Sequence, residues 1–266
     1  MSNSRGRGPG EADAAGAVQS VDRALAILEL LAGRSELGVT EIAAELGVHK
    51  STAFRLVTTL EQHRLVEQLG ERGKYHLGFG LVRLAGAMTA RLDLAREARP
   101  VCRRLAVELN ETINLAVRDG DAAVNVSQEQ GAATVSIQNW IGQRTPLHAT
   151  SSGKVLLAWM AEDALAPLLA GKLKPHTSRT VTDPERLRAE LGRVRERGWA
   201  ATAEELEIGL NAVAAPVRGA DGEVVAALSA SGPSYRLSPG IFDEVARALC
   251  AGADEISHEV GYIPGR

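Results

Sequence analysis

The sequence of 266 residues is 45% hydrophobic, 24% charged and 3% aromatic, and it carries a formal net charge of −3. This length accommodates two modest domains with aliphatic cores, and no apolar run reaches the roughly 20 residues that cross a bilayer. The charge excludes a uniformly basic nucleic-acid binder, and two cysteines imply no disulfide framework. We expect a cytoplasmic protein without membrane association, and we interpret the polar, glycine-rich residues 1–17 as a disordered tail.

The first part of the folded chain is predicted to be helical. Apolar residues at helical spacing predict helices at 18–31, 40–46 and 50–63. Ser20 and Thr40 are expected to cap the first two helices with their hydroxyl groups. Gly47 is expected to end the second helix, because glycine adopts the left-handed conformation of a tight turn without strain. The last two helices therefore form a helix-turn-helix pattern.

One face of the third predicted helix is polar and partly cationic. Short polar side chains with a few cations suit a helix that lies in the major groove of DNA. Two-helix hairpins of this kind are also common in helical cores that bind nothing, so the pattern alone leaves both interpretations open. The face consists of His49, Lys50, Ser51, Thr52, Arg55 and Thr59.

Two strand-like runs follow at 65–69 and 74–77, around the turn 70–73. They predict the wing of a winged helix-turn-helix, with Arg72 and Lys74 beside its tip. Residues 18–80 nevertheless contain seven Lys/Arg against eight Asp/Glu. We therefore expect one copy to bind DNA weakly and an oligomer to read repeated half-sites.

The segment 79–94 has helical spacing and a wide apolar side. We predict a linker helix between two domains that also packs on a twin chain, and a plain core helix is the alternative. Beyond it, strands precede and follow a block of helices, which predicts an α+β domain with a largely antiparallel sheet. The predicted helices lie at 94–109, 162–170, 184–197 and 239–260. The predicted strands lie at 112–118, 122–128, 133–138, 210–217 and 223–229.

Several sequence motifs together resemble the IclR family of bacterial transcription regulators. The resemblance covers nearly all of the chain from Val18 to Val260. The motifs occur in the order and spacing of the family and are VQSVDRALAILELLA, VTEIAAELGVHKSTAFRLVTTLEQHRLV, KYHLGFGLVRLAG, PLHATSSGKVLLAWM, RERGWA, GLNAVAAPV and ALSASGP.

The resemblance implies an α+β protein with a winged helix-turn-helix at 18–78, a linker helix at 79–94 and a GAF-like effector-binding domain at 95–262. Such proteins act as dimers or dimers of dimers on double-stranded operator DNA, and they repress or sometimes activate catabolic operons in response to a small-molecule effector. The residues expected to contact DNA are Ser20, Arg23, Thr40, His49, Lys50, Ser51, Thr52, Arg55, Thr59, Arg72 and Lys74.

A candidate effector site begins at the entry to a strongly apolar helix. The backbone N–H groups there favour a carboxylate or another anion, and hydroxyl groups add adaptable donors. Simple helix capping is the alternative interpretation. With the resemblance, these residues become the expected ligand loop: Thr150, Ser151, Ser152 and Gly153.

Two later strands are expected to complete the pocket. Ser229 and Ser231 alternate along one strand, and Leu210 and Ala212 along another, so each pair faces one side of the sheet. Asn211 is either a further ligand contact or only a strand amide.

Some family members that sense small oxo-acids have an acid at the position of Thr202 and a cysteine at that of Ala212. This chain has neither residue, but Thr202 and Ala212 remain expected lining residues of the effector pocket. The absence of both residues argues against glyoxylate or pyruvate as the ligand. The neutral, serine-rich character of the expected pocket instead points to a small polar acid or a ureide, such as an intermediate of purine or allantoin breakdown, with a glyoxylate-related compound kept open.

No enzyme signature is complete, so we predict no catalytic residues, no metal and no cofactor. Ser151 and Lys154 have the Ser-x-x-Lys spacing of penicillin-recognising enzymes, but the Ser-Asp-Asn and Lys-Thr-Gly elements are absent from the sequence downstream. The six histidines are scattered, and Cys102 and Cys250 are expected to be packing residues. The alternative function is a small-molecule-binding or enzymatic GAF-like protein whose N-terminal module serves assembly.

Overall fold

The computed structural model describes residues 18–70, 73–86, 89–132 and 139–263. The chain divides into two compact units, Met1–Thr89 and Ala90–Arg266, each with its own core. The predicted tail at 1–17, the predicted strand at 133–138 and the wing residue Arg72 lie outside the described residues. Every helix in the described part of the chain is too short or too polar to span a membrane.

The N-terminal unit combines a helix-turn-helix with a small antiparallel sheet of order β1-β3-β2. Its core contains Ile27 and Leu31 from the first helix, Ile42 from the second, and Ala53 and Val57 from the third. The predicted helix-turn-helix and wing strands are confirmed. The elements are α1 (Gln19–Arg34), β1 (Leu37–Gly38), α2 (Val39–Glu45), α3 (Lys50–Gln62), β2 (Val66–Leu69), β3 (Lys74–Leu77) and α4 (Gly80–Gly86).

The predicted caps of the first two helices are wrong. Ser20 lies inside α1, whose N-cap residue is Val18 and has no side-chain cap. Thr40 lies in the first turn of α2, where Glu41 accepts a 2.7 Å hydrogen bond from the Gly38 N–H instead. Because β1 runs directly into α2, the helix begins before the threonine. The turn after α2 follows the prediction, since Gly47 has a φ of 62°.

The predicted linker boundary at residue 94 is also wrong. A single helix, α5 (Thr89–Leu109), runs through residue 94. Residues 87 and 88, between α4 and α5, are not among the described residues. The reason is the apolar spacing of Leu94, Ala98, Val101 and Leu105, which forms one stripe in the core of the C-terminal unit. Because this stripe starts at Leu94, residue 94 packs as part of α5 and does not mark the end of a separate linker helix.

The C-terminal unit is built on a six-stranded antiparallel sheet of order β6-β5-β4-β9-β8-β7. The predicted α+β class and the predicted helices after α5 are confirmed, while the short strands β6 and β7 were missed. The strands are β4 (Thr112–Asp119), β5 (Ala122–Glu129), β6 (Arg144–Pro146), β7 (Ala200–Ala203), β8 (Leu210–Arg218) and β9 (Val224–Pro233). The helices after α5 are α6 (Ser151–Ala158), α7 (Glu162–Ala170), α8 (Pro184–Arg197) and α9 (Phe242–Glu259).

The two faces of this sheet are covered differently. One face carries larger side chains such as Leu115 and Leu228 and packs against α5 and α9. The other face carries Ala116, Ala214 and Ala227 and packs against α6, α7 and α8. Small side chains let α6 lie close to the centre of the sheet. The start of α6 therefore lies against the strands that carry the predicted effector residues.

Candidate functional site

The face of α3 that was predicted to bind DNA is exposed. Its opposite side buries Ala53, Val57 and Leu60 in the core, so helical spacing directs the polar residues outwards. Thr52 is half-buried beside this face. The exposed residues are His49, Lys50, Ser51, Phe54, Arg55 and Thr59.

Phe54 lies in the middle of this face and is a residue that the sequence reasoning missed. Its side chain is 53% exposed although it is a large apolar group. It follows Lys50 by four residues and Ser51 by three, which places all three on one side of the helix. An exposed apolar group between polar side chains suits contact with a thymine methyl group in the major groove.

Two of the predicted DNA contacts already have partners within the protein. The Thr59 hydroxyl donates a 2.9 Å hydrogen bond to the Arg55 carbonyl one turn earlier. Lys74 forms a 2.5 Å ion pair with Glu36, and this hydrogen bond raises the pKa of the lysine. Lys74 therefore stays charged, but a phosphate must compete with the Glu36 carboxylate for it.

The other predicted contacts lie on α1 and α2. Ser20 and Thr40 are exposed, and Arg23 is half-buried. Ser20 borders a groove of about 480 Å³ between α1 and α3, together with Arg55 and Thr59. The structure thus places Ser20 next to the α3 face.

A cavity of about 60 Å³ lies between the start of α6 and the sheet of the C-terminal unit. The lining residues that the sequence predicted are Thr150, Ser151, Ser152, Thr202, Leu210, Ala212, Ser229 and Ser231. The lining residues that the sequence reasoning missed are Asn114, Asn125, Trp140, Thr145, Ala149 and Leu206. The polar groups among them are hydroxyls, amides and an indole, and none of these lining residues carries a charge.

Strand register explains why these residues meet. Across β9, β8 and β7, Ser231 lies opposite Ala212, and Ala212 lies opposite Thr202. On the other side of β9, Asn114 of β4 lies opposite Ser229. Directly opposed residues share one face of a sheet, so these side chains form a polar patch on the face that α6 covers.

Thr150 caps α6 and faces the cavity at the same time. Its hydroxyl accepts a 3.1 Å hydrogen bond from the Gly153 N–H and donates one of 2.9 Å to the Pro146 carbonyl. Ser151 and Ser152 follow in the first turn, where N–H groups have no carbonyl partner within the helix. The capping and ligand interpretations are therefore compatible, because the cap uses Thr150 and leaves the Ser151 and Ser152 N–H groups for an anion.

Gly153, which was predicted to belong to the ligand loop, is not among the residues that line the cavity. A β-carbon at this position would lie 2.2 Å from the Leu147 carbonyl oxygen. Gly153 therefore lets α6 pack against the turn before it, and this contact sets where Ser151 and Ser152 lie.

Asn211 lies on the face away from the cavity. Its neighbour Ala212 lines the cavity, and adjacent strand residues face opposite sides. The Asn211 side-chain amide donates a 2.8 Å hydrogen bond to the Leu237 carbonyl. This geometry favours the interpretation of Asn211 as a strand amide.

Lys154 is fully buried one turn into α6. Its ammonium group lies 2.7 and 2.8 Å from the two carboxylate oxygens of Glu205 and 2.7 Å from Glu190. Burial raises the pKa of the Glu205 carboxyl, the charge of Lys154 opposes that rise, and Glu190 adds to it. The ion cluster ties α6 to α8 and to the segment before Leu206 on the cavity wall. A lysine held by two carboxylates is a poor general base for Ser151.

The described residues contain no group of three or more side chains that could hold a metal ion. Cys102 is buried, and burial raises its pKa to about 12, which keeps the thiol protonated. Cys250 is half-buried, and burial raises its pKa as well. Both cysteines thus behave as packing residues.

A helix-turn-helix unit with an exposed polar helix, joined to an α+β unit with a small polar cavity, defines a class of transcription regulator. The model of the IclR helix-turn-helix domain matches residues 20–70. The model described as bacterial transcriptional regulator IclR C-terminal matches residues 86–258. The chain belongs to the IclR family of bacterial transcriptional regulators.

Relatives match over almost their full lengths. The chain is 36% identical to the HTH-type transcriptional regulator KdgR of Escherichia coli K12, over 92% of this chain and 94% of that protein. It is also 36% identical to the HTH-type transcriptional repressor AllR of the same strain, over 97% of this chain and 96% of that protein.

Solved structures of the family share the fold. The Thermotoga maritima IclR structure is 28% identical and covers 92% of this chain and 100% of its own, with a TM-score of 0.76. An IclR homologue from Microbacterium hydrocarbonoxydans, complexed with 4-hydroxybenzoate, is 28% identical and covers 91% and 98%, with a TM-score of 0.79.

Proposed function

We propose that this protein is a ligand-responsive repressor of a catabolic operon, which releases its operator when a small organic acid or a ureide binds the C-terminal unit. The observation that carries the proposal is that one chain combines an exposed polar helix face with a small cavity lined by hydroxyl and amide groups. The relative AllR is named a transcriptional repressor, and this supports repression as the mode of regulation.

DNA binding is assigned to α3 and the wing. Lys50 and Arg55 supply cations for phosphates or guanine edges, and Ser51 supplies a hydroxyl group. The nearly balanced charge of the N-terminal unit makes a single copy a weak binder. A homodimer or a dimer of dimers with two or more α3 helices then supplies the affinity.

The effector is assigned to the cavity at the start of α6. Helix N–H groups and serine hydroxyls suit a carboxylate, and the neutral amides suit a ureide. A cavity of about 60 Å³ favours a small ligand. The family structure with bound 4-hydroxybenzoate, which carries a carboxylate, supports the acid class.

The coupling between effector binding and DNA binding is assigned to the sheet that separates the cavity from α5. The ligand draws the loop 149–153 towards Ser229 and Ser231 on the sheet face that α6 covers, while α5 packs on the opposite face. A shift of α5 then reaches the DNA-binding unit that precedes it in the chain. A coupling of about 1–3 kcal/mol between the two sites is enough for regulation.

A thermal-shift screen of the full chain against small carboxylates and ureides tests the ligand assignment. A ligand that binds only the folded state raises its stability by about 2.7 kcal/mol at 100 times its Kd. We expect at least one small acid or ureide to raise the melting temperature and to weaken binding to DNA upstream of the gene in a gel-shift assay. If no compound of either class raises the melting temperature, the cavity has been assigned the wrong ligand.

A further inference from the structure

Asn114 lines the cavity and has one unused polar atom. Its side-chain N–H₂ donates a 3.3 Å hydrogen bond to the Ser231 hydroxyl oxygen, and the residue is only 5% exposed. Its side-chain oxygen Oδ1 is buried without a hydrogen-bond partner among the described residues. Nearly all buried polar atoms in proteins have a partner, so this oxygen requires an explanation.

With the Asn114 N–H₂ group on the Ser231 hydroxyl, the unused atom is the amide oxygen, which is an acceptor. An amide oxygen binds an N–H or O–H group and gains nothing from a carbonyl oxygen. Leaving such an oxygen unpaired costs free energy, because it is already shielded from water. A ligand that fits the cavity well therefore brings a donor to Asn114.

The start of α6 has the opposite polarity. Ser151 and Ser152 line the cavity with the first N–H groups of an eight-residue helix, which favour an anion. The cavity thus has a donor end at α6 and an acceptor at Asn114. Because its volume is only about 60 Å³, the anionic group and the donor of one ligand must lie within a few atoms of each other.

We propose that Asn114 is a specificity-determining residue that selects small carboxylates with an O–H or N–H group beside the carboxylate. This class contains 2-hydroxy acids and ureido acids, and it excludes their 2-oxo analogues. In a 2-oxo acid the carbonyl oxygen on carbon 2 is an acceptor, and it would face the Asn114 oxygen with no hydrogen atom between the two. The inference rests on the proposed function, since it assigns the ligand class of the same cavity.

Isothermal titration calorimetry of the full chain tests this with matched acids. The probes are lactate against pyruvate, 2-hydroxybutyrate against 2-oxobutyrate, and N-carbamoylglycine as the ureido acid. We expect the wild-type chain to bind a hydroxy or ureido acid about 10-fold to 100-fold more tightly than the 2-oxo acids. The hydroxy and ureido acids give the buried Asn114 oxygen a hydrogen-bond donor, and the 2-oxo acids do not. This comparison within the wild type needs no variant.

Two variants locate the preference. Asn114→Leu removes the acceptor and is expected to bring the hydroxy-to-oxo affinity ratio close to one. Asn211→Leu is the matched control, because Asn211 is equally buried and also has an unpartnered Oδ1, but it lies on the sheet face away from the cavity. We expect Asn211→Leu to keep the wild-type ratio even if it lowers stability.

The outcomes separate this inference from the proposed function. Equal or tighter binding of the 2-oxo acids by the wild type, or a ratio that survives in Asn114→Leu, overturns the role of Asn114 but leaves a small-acid regulator. Failure of all five probes to bind the wild type contradicts the proposed small-acid effector, and the inference fails with it.

Discussion

The Lys50→Ala, Arg55→Ala double variant is expected to bind operator DNA roughly 100-fold more weakly than the wild type, or worse. Each specific contact of this kind contributes about 1–3 kcal/mol, and an oligomer loses the contacts of every α3 helix that reads a half-site. Both residues are exposed on α3. A gel-shift titration at one fixed salt concentration measures the loss, since phosphate contacts make affinity depend on salt.

The matched control removes the same charge elsewhere in the N-terminal unit. Arg34 lies at the end of α1 and Arg83 lies in α4, and both are exposed. The Arg34→Ala, Arg83→Ala variant is expected to retain most of the DNA affinity. It loses two positive charges, as the Lys50→Ala, Arg55→Ala variant does, but its α3 face stays intact. Equal losses in the two double variants would show that α3 is not the element that contacts DNA.

Replacing Lys154 with methionine is expected to lower the free energy of unfolding of the C-terminal unit by about 3–5 kcal/mol. The change leaves the carboxylates of Glu190 and Glu205 without the buried cation that lies 2.7 Å from each. Urea unfolding followed by tryptophan fluorescence measures the effect. The three tryptophans, at 140, 159 and 199, all lie in this unit, so the signal is specific to it.

Arg188→Met is the control for Lys154→Met. Arg188 forms an ion pair with Glu162 near the surface, where the arginine side chain is 36% exposed and the glutamate side chain 67% exposed. Surface ion pairs contribute about 0–1 kcal/mol, so this variant is expected to unfold at nearly the wild-type urea concentration. A loss for Lys154→Met as small as that for Arg188→Met would show that the buried ion cluster does not hold the unit together.

The effect of Lys154→Met is expected to depend on pH. Burial already raises the pKa of the Glu205 carboxyl, and Lys154 is the group that opposes this rise. Without Lys154 the folded state binds a proton more tightly than the unfolded state, so stability falls as the pH rises through the folded-state pKa. The variant should therefore lose more stability at pH 8 than at pH 5. A loss that is equal at both values, or larger at pH 5, would contradict this.

Local patterns predicted the elements better than their ends. The helical spacing of Ala53, Val57 and Leu60 was sufficient to orient α3, because a helix repeats every 3.6 residues. The predicted cap at Ser20 failed because α1 begins without any side-chain cap. The predicted cap at Thr40 failed because the pairing of β1 with β3 and the contact of Glu41 with Gly38 set the start of α2. The end of a helix depends on tertiary contacts that a periodic pattern does not contain.

The missed cavity residues have a different cause. Asn114 reaches the cavity because β4 pairs with β9, which lies more than 100 residues later in the chain. Asn125 reaches it beside an irregularity in the β4–β5 pairing near Leu115, which changes the register between the two strands. Sheet order and bulges follow from the assembled fold, so the alternation within one strand could predict Ser229 and Ser231 but not these asparagines.

The central claim is that occupation of the cavity weakens DNA binding by α3. The most direct test is a gel-shift titration with the tightest-binding acid of the calorimetric series, using the wild type and the Ser229→Ala, Ser231→Ala variant. We expect the acid to weaken DNA binding by the wild type about 5-fold to 150-fold. The variant should bind DNA normally and should not respond to the same acid concentration. Equal release of DNA by both proteins, or no release by the wild type, would contradict the two-site switch.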